Sequence, residues 1–381
     1  MNPLNPVLGT EGDFTTSPEI SQVFGELLAV WLLSQWLHVG KVRKIRLVEL
    51  GPGRGTLTHD ILRVLSQFPS AREAVEEVHL VETSLSMRSR QEGKLVTYSQ
   101  EYGWALNWHG SIDDVSPDAS KYTMIVAHEF FDALPFHLIQ KTQQGWQEIL
   151  ITSTPDPAAC TVLQPSRATN LDFTTTDPTP TLSSPSTTRF RRILSPTPTP
   201  SSTLLGLSSN RFKQLPVGSQ IEVSPAAFKI ARRVGELVCE AGGSGVAGSA
   251  LIVDYGGDRA YGNSFRAFKE HKIVDVFHRP GECDLTTNVD FAYLKEATAD
   301  LALSLGPLSQ AAFLTRMGLP SRVEALKKSA SSQERGDAIE KAAQRLVDPT
   351  RMGAEYKIMA MTGRRDIEPN IQERWPFVDG L

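Results

Sequence analysis

The sequence predicts an α/β protein: a doubly wound, Rossmann-like parallel sheet with an added helical layer. Three observations support this prediction. Short apolar runs recur at residues 45–50, 78–82, 122–127 and 250–254, and acidic or glycine residues stand at or just after their ends. Apolar residues recur at helical spacing between these runs, as in a parallel sheet covered on both faces. Beyond residue 290 several short segments have helical periodicity, which supplies the added layer.

Length and composition exclude several classes of protein. The 381 residues can form one large domain or two ordinary ones, and a net charge of −4 gives no basis for non-specific nucleic-acid binding. The three cysteines form no C-x-x-C pair, which predicts neither a disulfide framework nor a zinc site. No apolar run is long enough to cross a bilayer, and residues 1–10 contain no basic residue and so no transit-peptide pattern. We therefore expect no nucleic-acid partner and no integral membrane segment.

The first predicted helix opens at Ser17 and Pro18, which suit an N-cap and a first helical position. Apolar residues recur on one face as far as residue 31, and the helix should end near residue 37. Residues 12–19, at the start of this segment, are rich in small polar groups. They form either a capping loop or a segment that folds over a cofactor, and we favour the capping loop.

Residues 45–58 organise the chain, because they predict a buried strand, a glycine-rich turn and a helix. Gly51, Gly53 and Gly55 permit unusual backbone angles and close approach of a ligand, and the helix directs its free N–H groups at the turn. The dinucleotide pattern G-x-G-x-x-G would require a glycine where this chain has threonine. Glu49 instead precedes the first glycine, and a carboxylate there suits a ligand with an ammonium and a sulfonium group. This favours S-adenosyl-L-methionine as the cofactor; the alternative is an ordinary connection with a solvated glutamate.

Two more strand ends should border the same ligand. Glu82 ends the second predicted strand, and ligands of doubly wound sheets lie beyond the carboxyl ends of the strands. Its carboxylate can accept hydrogen bonds from both ribose hydroxyls; the alternative is a surface glutamate that opens the next helix. A third strand is predicted at residues 105–108, and Ile112, which follows it, is our candidate neighbour of the adenine.

The fourth predicted strand, residues 122–127, leads directly into His128, Glu129, Asp132 and His137. Glu129 and Asp132 form a candidate catalytic pair that holds a cationic substrate. The alternative is a helix start at which both acids interact favourably with the helix dipole. The two histidines lack the spacing and partners of a metal site, so we predict no metal.

Residues 153–215 are dominated by Pro, Thr and Ser and lose apolar periodicity, which predicts a disordered insertion. The surrounding domain would comprise residues 1–152, which hold the cofactor site, and residues 216–381. In the second part the sequence predicts a helix from Pro225, the fifth parallel strand, and a helical insertion at about residues 264–350. A last strand at residues 355–362 is placed at the sheet edge.

Taken together, these motifs resemble one known family. The matching segments are residues 12–21, 24–27, 47–57, 81–84, 129–135, 254–256, 265–268, 280–282, 284–286 and 289–291. They resemble the mitochondrial complex I assembly-factor protein arginine methyltransferases and their bacterial relatives, a class I S-adenosyl-L-methionine-dependent group. The resemblance covers nearly everything outside residues 153–215.

The resemblance implies a type II enzyme that forms symmetric dimethylarginine on a core subunit of respiratory complex I in the mitochondrial matrix. The resemblance is also compatible with a homodimer. Family members carry a transit peptide and a further helical stretch ahead of Gly12, which are not visible in this chain, and often have Asn at the position of His128. Two alternatives stay open: a methyltransferase for another substrate, and a catalytically weak assembly chaperone, against which the intact glycines and acids argue.

Overall fold

The computed structural model describes residues 16–40, 43–155, 188–240, 245–270, 272–364 and 369–378. The first third of the chain alternates helices and strands. The elements are α1 Ser17–Ile20, α2 Gln22–His38, β1 Lys44–Leu50, α3 Thr56–Gln67, α4 Pro69–Ala74, β2 Val75–Val81, α5 Leu85–Tyr102, β3 Ala105–His109 and β4 Lys121–His128.

The middle of the chain adds antiparallel strands before it returns to a parallel strand. The elements are β5 His137–Thr142, β6 Gly145–Pro155, β7 Thr188–Leu194, α6 Pro200–Leu207, α7 Asn210–Lys213, β8 Gln220–Val223, α8 Pro225–Val238 and β9 Gly248–Gly257. The last part consists of β10 Arg266–Lys269, β11 Lys272–Val274, β12 Asp284–Thr286, β13 Val289–Asp290, α9 Phe291–Thr298, β14 Ala302–Ser309, α10 Gln310–Arg316, α11 Leu319–Lys328, α12 Gln333–Val347, α13 Met352–Glu355, β15 Tyr356–Gly363 and α14 Ile371–Arg374.

The central sheet has the strand order β14-β15-β9-β4-β1-β2-β3, with β13 paired to β9. Its strands are parallel except β15, which runs antiparallel to both of its neighbours. The predicted doubly wound α/β fold is therefore confirmed. Because the chain moves outward from β1 in one direction and then returns to β4 on its other side, the β1–β4 junction is the topological switch point, where such sheets bind ligands.

The alternation of side chains along β1 explains why this strand is buried on both faces. Ile45 and Leu47 pack into the core beneath α2 and α3, whereas Val48 and Leu50 pack into the core beneath α8. All four side chains are fully buried. A continuous apolar run is what a covered parallel strand requires.

The four-stranded sheet β7-β6-β5-β8 corrects the prediction of disorder for residues 153–215. That prediction is wrong for residues 188–215: β7 pairs antiparallel with β6, with Thr188 opposite Pro155, and α6 and α7 follow. The Pro and Thr residues that suggested disorder act locally here, since Thr199 caps α6 and Pro200 occupies its first turn. Residues 156–187 lie outside the described residues.

Two predictions for the last third of the chain are also wrong. β15 lies inside the sheet, and the edge strand is β14, part of which the sequence pattern assigned to a helix. The alternation of apolar and polar residues in β14 is too short to be distinguished by sequence from a continuation of the helical pattern of α9. The insertion at residues 264–350 is only partly helical, because β10, β11 and β12 form a three-stranded sheet ahead of α10, α11 and α12. Within the described ranges, no helix is long and apolar enough to cross a membrane.

Candidate active site

The connection from β1 to α3 is the predicted glycine turn. Gly51, Gly53 and Gly55 have φ angles of 66°, 51° and 74°, in the left-handed region that side chains disfavour. At Gly51 there is also no room, because a Cβ atom would lie 2.9 Å from Cδ2 of Phe130. The turn therefore needs glycine, and it exposes main chain at the switch point of the sheet.

A pocket of about 490 Å³ lies at this turn. It is lined by Thr16, Pro18, Glu19, Glu49, Gly51, Pro52, Gly53, Arg54, Thr56, Leu57, His128 and Glu129. The structure thus brings Glu129, predicted from the end of the fourth strand, together with Glu49, Gly51 and Gly53 of the predicted glycine turn. Among the described residues, no group of His, Cys, Asp and Glu side chains is arranged to hold a metal ion.

The start of α1 borders this pocket. Ser17 is not the N-cap: it is the first residue of α1, and its hydroxyl donates to Gln310 Oε1 at 3.2 Å. Thr16 occupies the N-cap position without a side-chain capping bond. The described part of this segment therefore supplies the N-cap position of α1 and also lies along the pocket. The part of the predicted loop at residues 12–15 lies outside the described residues.

Glu49 is a buried carboxylate and not the solvated glutamate of the alternative reading. It is 3% exposed, and the Thr58 hydroxyl donates a hydrogen bond to its Oε2. Burial raises the pKa of Glu49 to about 7, against the opposing effect of the Thr58 hydrogen bonds. A nearby cation would favour its ionised form.

Glu82 and Ile112 lie outside the lining of this pocket. Glu82 accepts hydrogen bonds from the Ser84 main-chain N at 2.8 Å and from Gln91 Nε2 at 3.3 Å. Gln91 Nε2 also donates to the carbonyl oxygen of Gly53 at 2.7 Å, so one amide connects Glu82 to the glycine turn. Ile112 begins a short 3-10 helix beyond β3 and is buried against the core beneath α8.

Glu129 directly follows β4 and has a left-handed φ of 49°. Its Oε1 accepts a hydrogen bond from the Tyr356 hydroxyl, which is also hydrogen-bonded to the Tyr255 hydroxyl. Because a hydroxyl carries one hydrogen, Tyr356 donates to Glu129 and accepts from Tyr255. Burial and the nearby Asp132 raise the pKa of Glu129 to about 8.

Asp132 stands in a turn, so the alternative of a helix start at Glu129 and Asp132 is wrong. Its Oδ2 accepts from the Thr286 hydroxyl at 2.7 Å, and its main-chain N donates to Asp254 Oδ2 at 3.2 Å. Burial raises the pKa of Asp132, and burial with the charges of Asp132 and Glu129 raises the pKa of Asp254 well above its usual value. Glu129, Asp132 and Asp254 are named here the acidic cluster.

Tyr255 also lines a second, more open groove. The groove has a volume of about 1500 Å³. It is lined by Tyr255, Gly256, Gly257, Asp258, Arg259, Tyr261, Arg266, Phe268, Ile273, Asn288, Ala354, Glu355 and Lys357. The ring centroids of Tyr255 and Tyr356 lie 4.1 Å apart. Because Tyr356 is hydrogen-bonded to Glu129, this pair links the groove to Glu129.

Sequence reasoning did not assign Asp254, Tyr255, Tyr356 or Gln91 to the site. An acid at the end of the fifth strand was a usable signal for Asp254. Tyr356 gives no such signal, because the strand that carries it is antiparallel and begins 227 positions after Glu129. Gln91 likewise looks like any polar residue of an amphipathic helix.

The parallel sheet, the glycine turn at its switch point and the acidic pocket define a class I S-adenosyl-L-methionine-dependent methyltransferase. A family model described as "Putative S-adenosyl-L-methionine-dependent methyltransferase" matches residues 27–307. The chain belongs to this family and uses S-adenosyl-L-methionine as its methyl donor.

Named relatives agree with this assignment. The zebrafish (Danio rerio) mitochondrial protein arginine methyltransferase NDUFAF7 is 37% identical over 374 residues, which cover 94% of this chain and 78% of the relative. Its human (Homo sapiens) counterpart is 32% identical over 97% of this chain and 77% of the relative. A Burkholderia thailandensis protein crystallised with S-adenosyl-homocysteine has the same fold: the TM-score is 0.70, the identity 22%, and the coverage 98% of this chain and 85% of that protein.

Proposed function

We propose that this protein transfers a methyl group from S-adenosyl-L-methionine to arginine side chains of a protein substrate, as a type II enzyme that forms symmetric dimethylarginine. The names of its relatives support arginine as the acceptor. One structural observation carries the proposal: the buried Glu129 shares a pocket with the glycine turn and is backed by Asp132 and Asp254. Such an excess of buried acid suits a guanidinium cation.

The residues at the turn fit the cofactor. The exposed main chain at Gly51 and Gly53 would hold the methionine part, with Gly55 completing the turn and Glu49 facing the ammonium group. Glu82, tied to the turn through Gln91, would accept the ribose hydroxyls, and we assign Ile112 to the adenine side. When bound, S-adenosyl-L-methionine supplies an electrophilic methyl group on a positively charged sulfur.

Glu129 and Asp132 would orient the guanidinium so that one terminal nitrogen faces the methyl group. Orientation should outweigh deprotonation of the substrate, because the pKa of arginine is too high for a free carboxylate to remove its proton beforehand. The acceptor nitrogen forms a C–N bond, the S–C bonding pair stays on sulfur, and one N–H proton is lost. Glu129 can accept that proton, since burial has raised its pKa to about 8.

The proposed substrate is a core subunit of respiratory complex I, and the proposed location is the mitochondrial matrix. The relatives' names include "mitochondrial", and the matching motifs resemble those of complex I assembly factors. The proposal includes a homodimer, which analytical ultracentrifugation tests directly.

The full chain should be incubated with S-adenosyl-L-methionine and individually purified core subunits of complex I. Mass spectrometry should find symmetric dimethylarginine on one of them, and an Arg→Lys substitution at that position should abolish the product. Calorimetry with S-adenosyl-L-methionine and S-adenosyl-homocysteine is run in parallel. Tight cofactor binding with methylation confined to small molecules or to another side chain would refute arginine as the acceptor.

A further inference from the structure

His128 presents an unsatisfied nitrogen to the pocket that contains the glycine turn. The residue ends β4, is 7% exposed and lines this pocket together with Glu129. Within the described part of the chain, its Nε2 is buried and has no hydrogen-bond partner. A buried polar atom left in this way costs about 1–3 kcal/mol, so folded proteins seldom keep one without a reason.

The imidazole ring is held in place by two aromatic rings. It stacks on Tyr356 with ring centroids 6.0 Å apart and planes inclined by 8°, and it meets Phe24 edge-on at 5.1 Å. Burial lowers the pKa of His128 to about 3, so the ring is neutral at physiological pH. A neutral ring that carries its proton on Nδ1 offers a lone pair at Nε2.

The distance between His128 Nε2 and Glu129 Oε1 is 3.9 Å. A single donor nitrogen can reach both of these acceptor atoms at this separation, because each hydrogen bond needs about 2.9 Å between donor and acceptor. A carboxylate beside a neutral imidazole therefore forms a paired acceptor, and its natural ligand is a cation with several N–H groups. Both the guanidinium of the substrate and the ammonium of the methyl donor have this chemistry.

The surroundings favour the guanidinium. Glu49 already places a carboxylate beside the glycine turn for the ammonium group. Glu129 is connected through Tyr356 and Tyr255 to the open groove, which offers space for a polypeptide on either side of a target side chain. The tyrosine pair therefore places Glu129, and the imidazole stacked on Tyr356, next to the groove as well as next to the glycine turn.

We propose that His128 is a catalytic residue whose Nε2 accepts a hydrogen bond from the guanidinium of the methyl acceptor, beside Glu129. The inference rests on the proposed function, because it assigns one contact within the same acceptor site. It gives the pocket two acceptors of different charge, one carboxylate and one neutral ring. Together they fix the rotation of the guanidinium, which a single carboxylate leaves free.

Two substitutions at His128 and one control test this role. His128→Leu keeps an apolar side chain between the two rings and should lower kcat on a methylated subunit about 10- to 100-fold, while affinity for S-adenosyl-homocysteine changes less than about threefold. His128→Gln restores an acceptor and should recover much of the lost rate. His38→Leu, at an exposed position, should leave both quantities unchanged. An unchanged kcat in His128→Leu would overturn the proposal. Loss of S-adenosyl-homocysteine binding in this variant would also overturn it, because S-adenosyl-homocysteine retains the ammonium group and His128 would then contact the donor.

A second measurement needs no methyl transfer. The ¹⁵N signal of His128 Nε2, assigned by its absence from His128→Leu, is followed while methylguanidinium is added. A saturable shift is expected in the wild type and should be lost in Glu129→Gln; a signal that stays in place throughout refutes the contact. If this shift occurs but no arginine is methylated in any subunit, the proposed function and the catalytic role of His128 fail, and only the contact between His128 and a guanidinium stands.

Discussion

At the scale of single residues, Glu129 combines backbone strain, burial and a hydrogen bond that few surface glutamates have. Its φ of 49° costs a non-glycine residue roughly 1–2 kcal/mol, and its main-chain N donates to the Val253 carbonyl at 3.0 Å. This strain aims the side chain into the pocket at the end of β4. Strained residues of this kind concentrate at functional sites.

Glu129→Gln should lower turnover strongly while leaving affinity for S-adenosyl-L-methionine nearly unchanged, because the amide cannot accept the proton or pair with a cation. In the wild type, kcat/KM should rise with pH up to about 8, since the carboxylate with the raised pKa becomes ionised over that range. The variant should lose this rise. Stopped assays across pH 6–9 and calorimetry measure the two effects, and lost cofactor binding would show that Glu129 belongs to the donor side.

Tyr356→Phe removes the hydroxyl that donates to Glu129 while keeping the ring. That hydrogen bond lowers the pKa of Glu129 against the opposing effect of burial, so its loss should raise the pKa further. The rise of kcat/KM should therefore move to higher pH, with reduced kcat at pH 7. An unchanged pH profile would mean that the hydroxyl does not act on Glu129.

The extent to which the site could be predicted follows from where each residue stands in the chain. Glu49, the glycines and Glu129 come just before or after apolar runs, so strand order alone placed them at one edge. The roles proposed for Tyr356 and His128 depend on contacts across the sheet, which no local pattern encodes.

At the scale of elements, the β1–α3 turn was predictable because its chemistry is local: three left-handed residues require three glycines. The β14–β15 pair was not, because its position depends on pairing with β9 and not on its own periodicity. Likewise, the Pro- and Ser/Thr-rich composition near α6 reflects helix caps and turns as readily as disorder.

Gly51→Ala tests the turn. The substitution forces a side chain into a left-handed conformation and against Phe130, so it should weaken S-adenosyl-L-methionine binding at least about tenfold. Gly93→Ala is the matched control, because it lies within α5 with open space around its Cβ position and should stabilise the helix by about 0.5–1 kcal/mol. Calorimetry and urea unfolding separate the two outcomes; equal cofactor affinity in both variants would remove the turn from the cofactor site.

At the scale of the whole molecule, Glu26 joins three helices. It is buried in α2, and its carboxylate pairs with Arg63 of α3 at 2.8 Å and Arg322 of α11 at 2.7 Å. Burial alone would raise the pKa of Glu26, but the hydrogen bonds and charges of the two arginines outweigh it and hold the pKa below its usual value. This carboxylate therefore connects the added helical layer to the central sheet domain.

Glu26→Ala should lower the free energy of unfolding by about 3 kcal/mol, because two guanidinium groups lose their buried partner. Since the folded-state pKa is depressed, this stabilisation is present above pH 4–5 and is lost as the pH falls through the folded-state pKa. Glu324→Ala, in an exposed pair with Lys328, should cost less than about 0.5 kcal/mol. Urea unfolding at pH 7 and pH 4 measures both; equal effects at pH 7 would contradict the role of Glu26.

The acidic cluster gives the molecule a property that none of its three carboxyl groups has alone. Burial raises the pKa of all three groups; together with the charge of Asp132 it raises the pKa of Glu129 to about 8, so Glu129 retains a proton near neutrality, and together with the charges of Asp132 and Glu129 it raises the pKa of Asp254 well above its usual value. An arriving cation would displace this proton, so recognition of the proposed substrate would become an exchange of a hydrogen ion for a guanidinium. Neutral molecules of similar shape could drive no such exchange, and the acceptor site would thus discriminate by charge before any contact with the methyl donor.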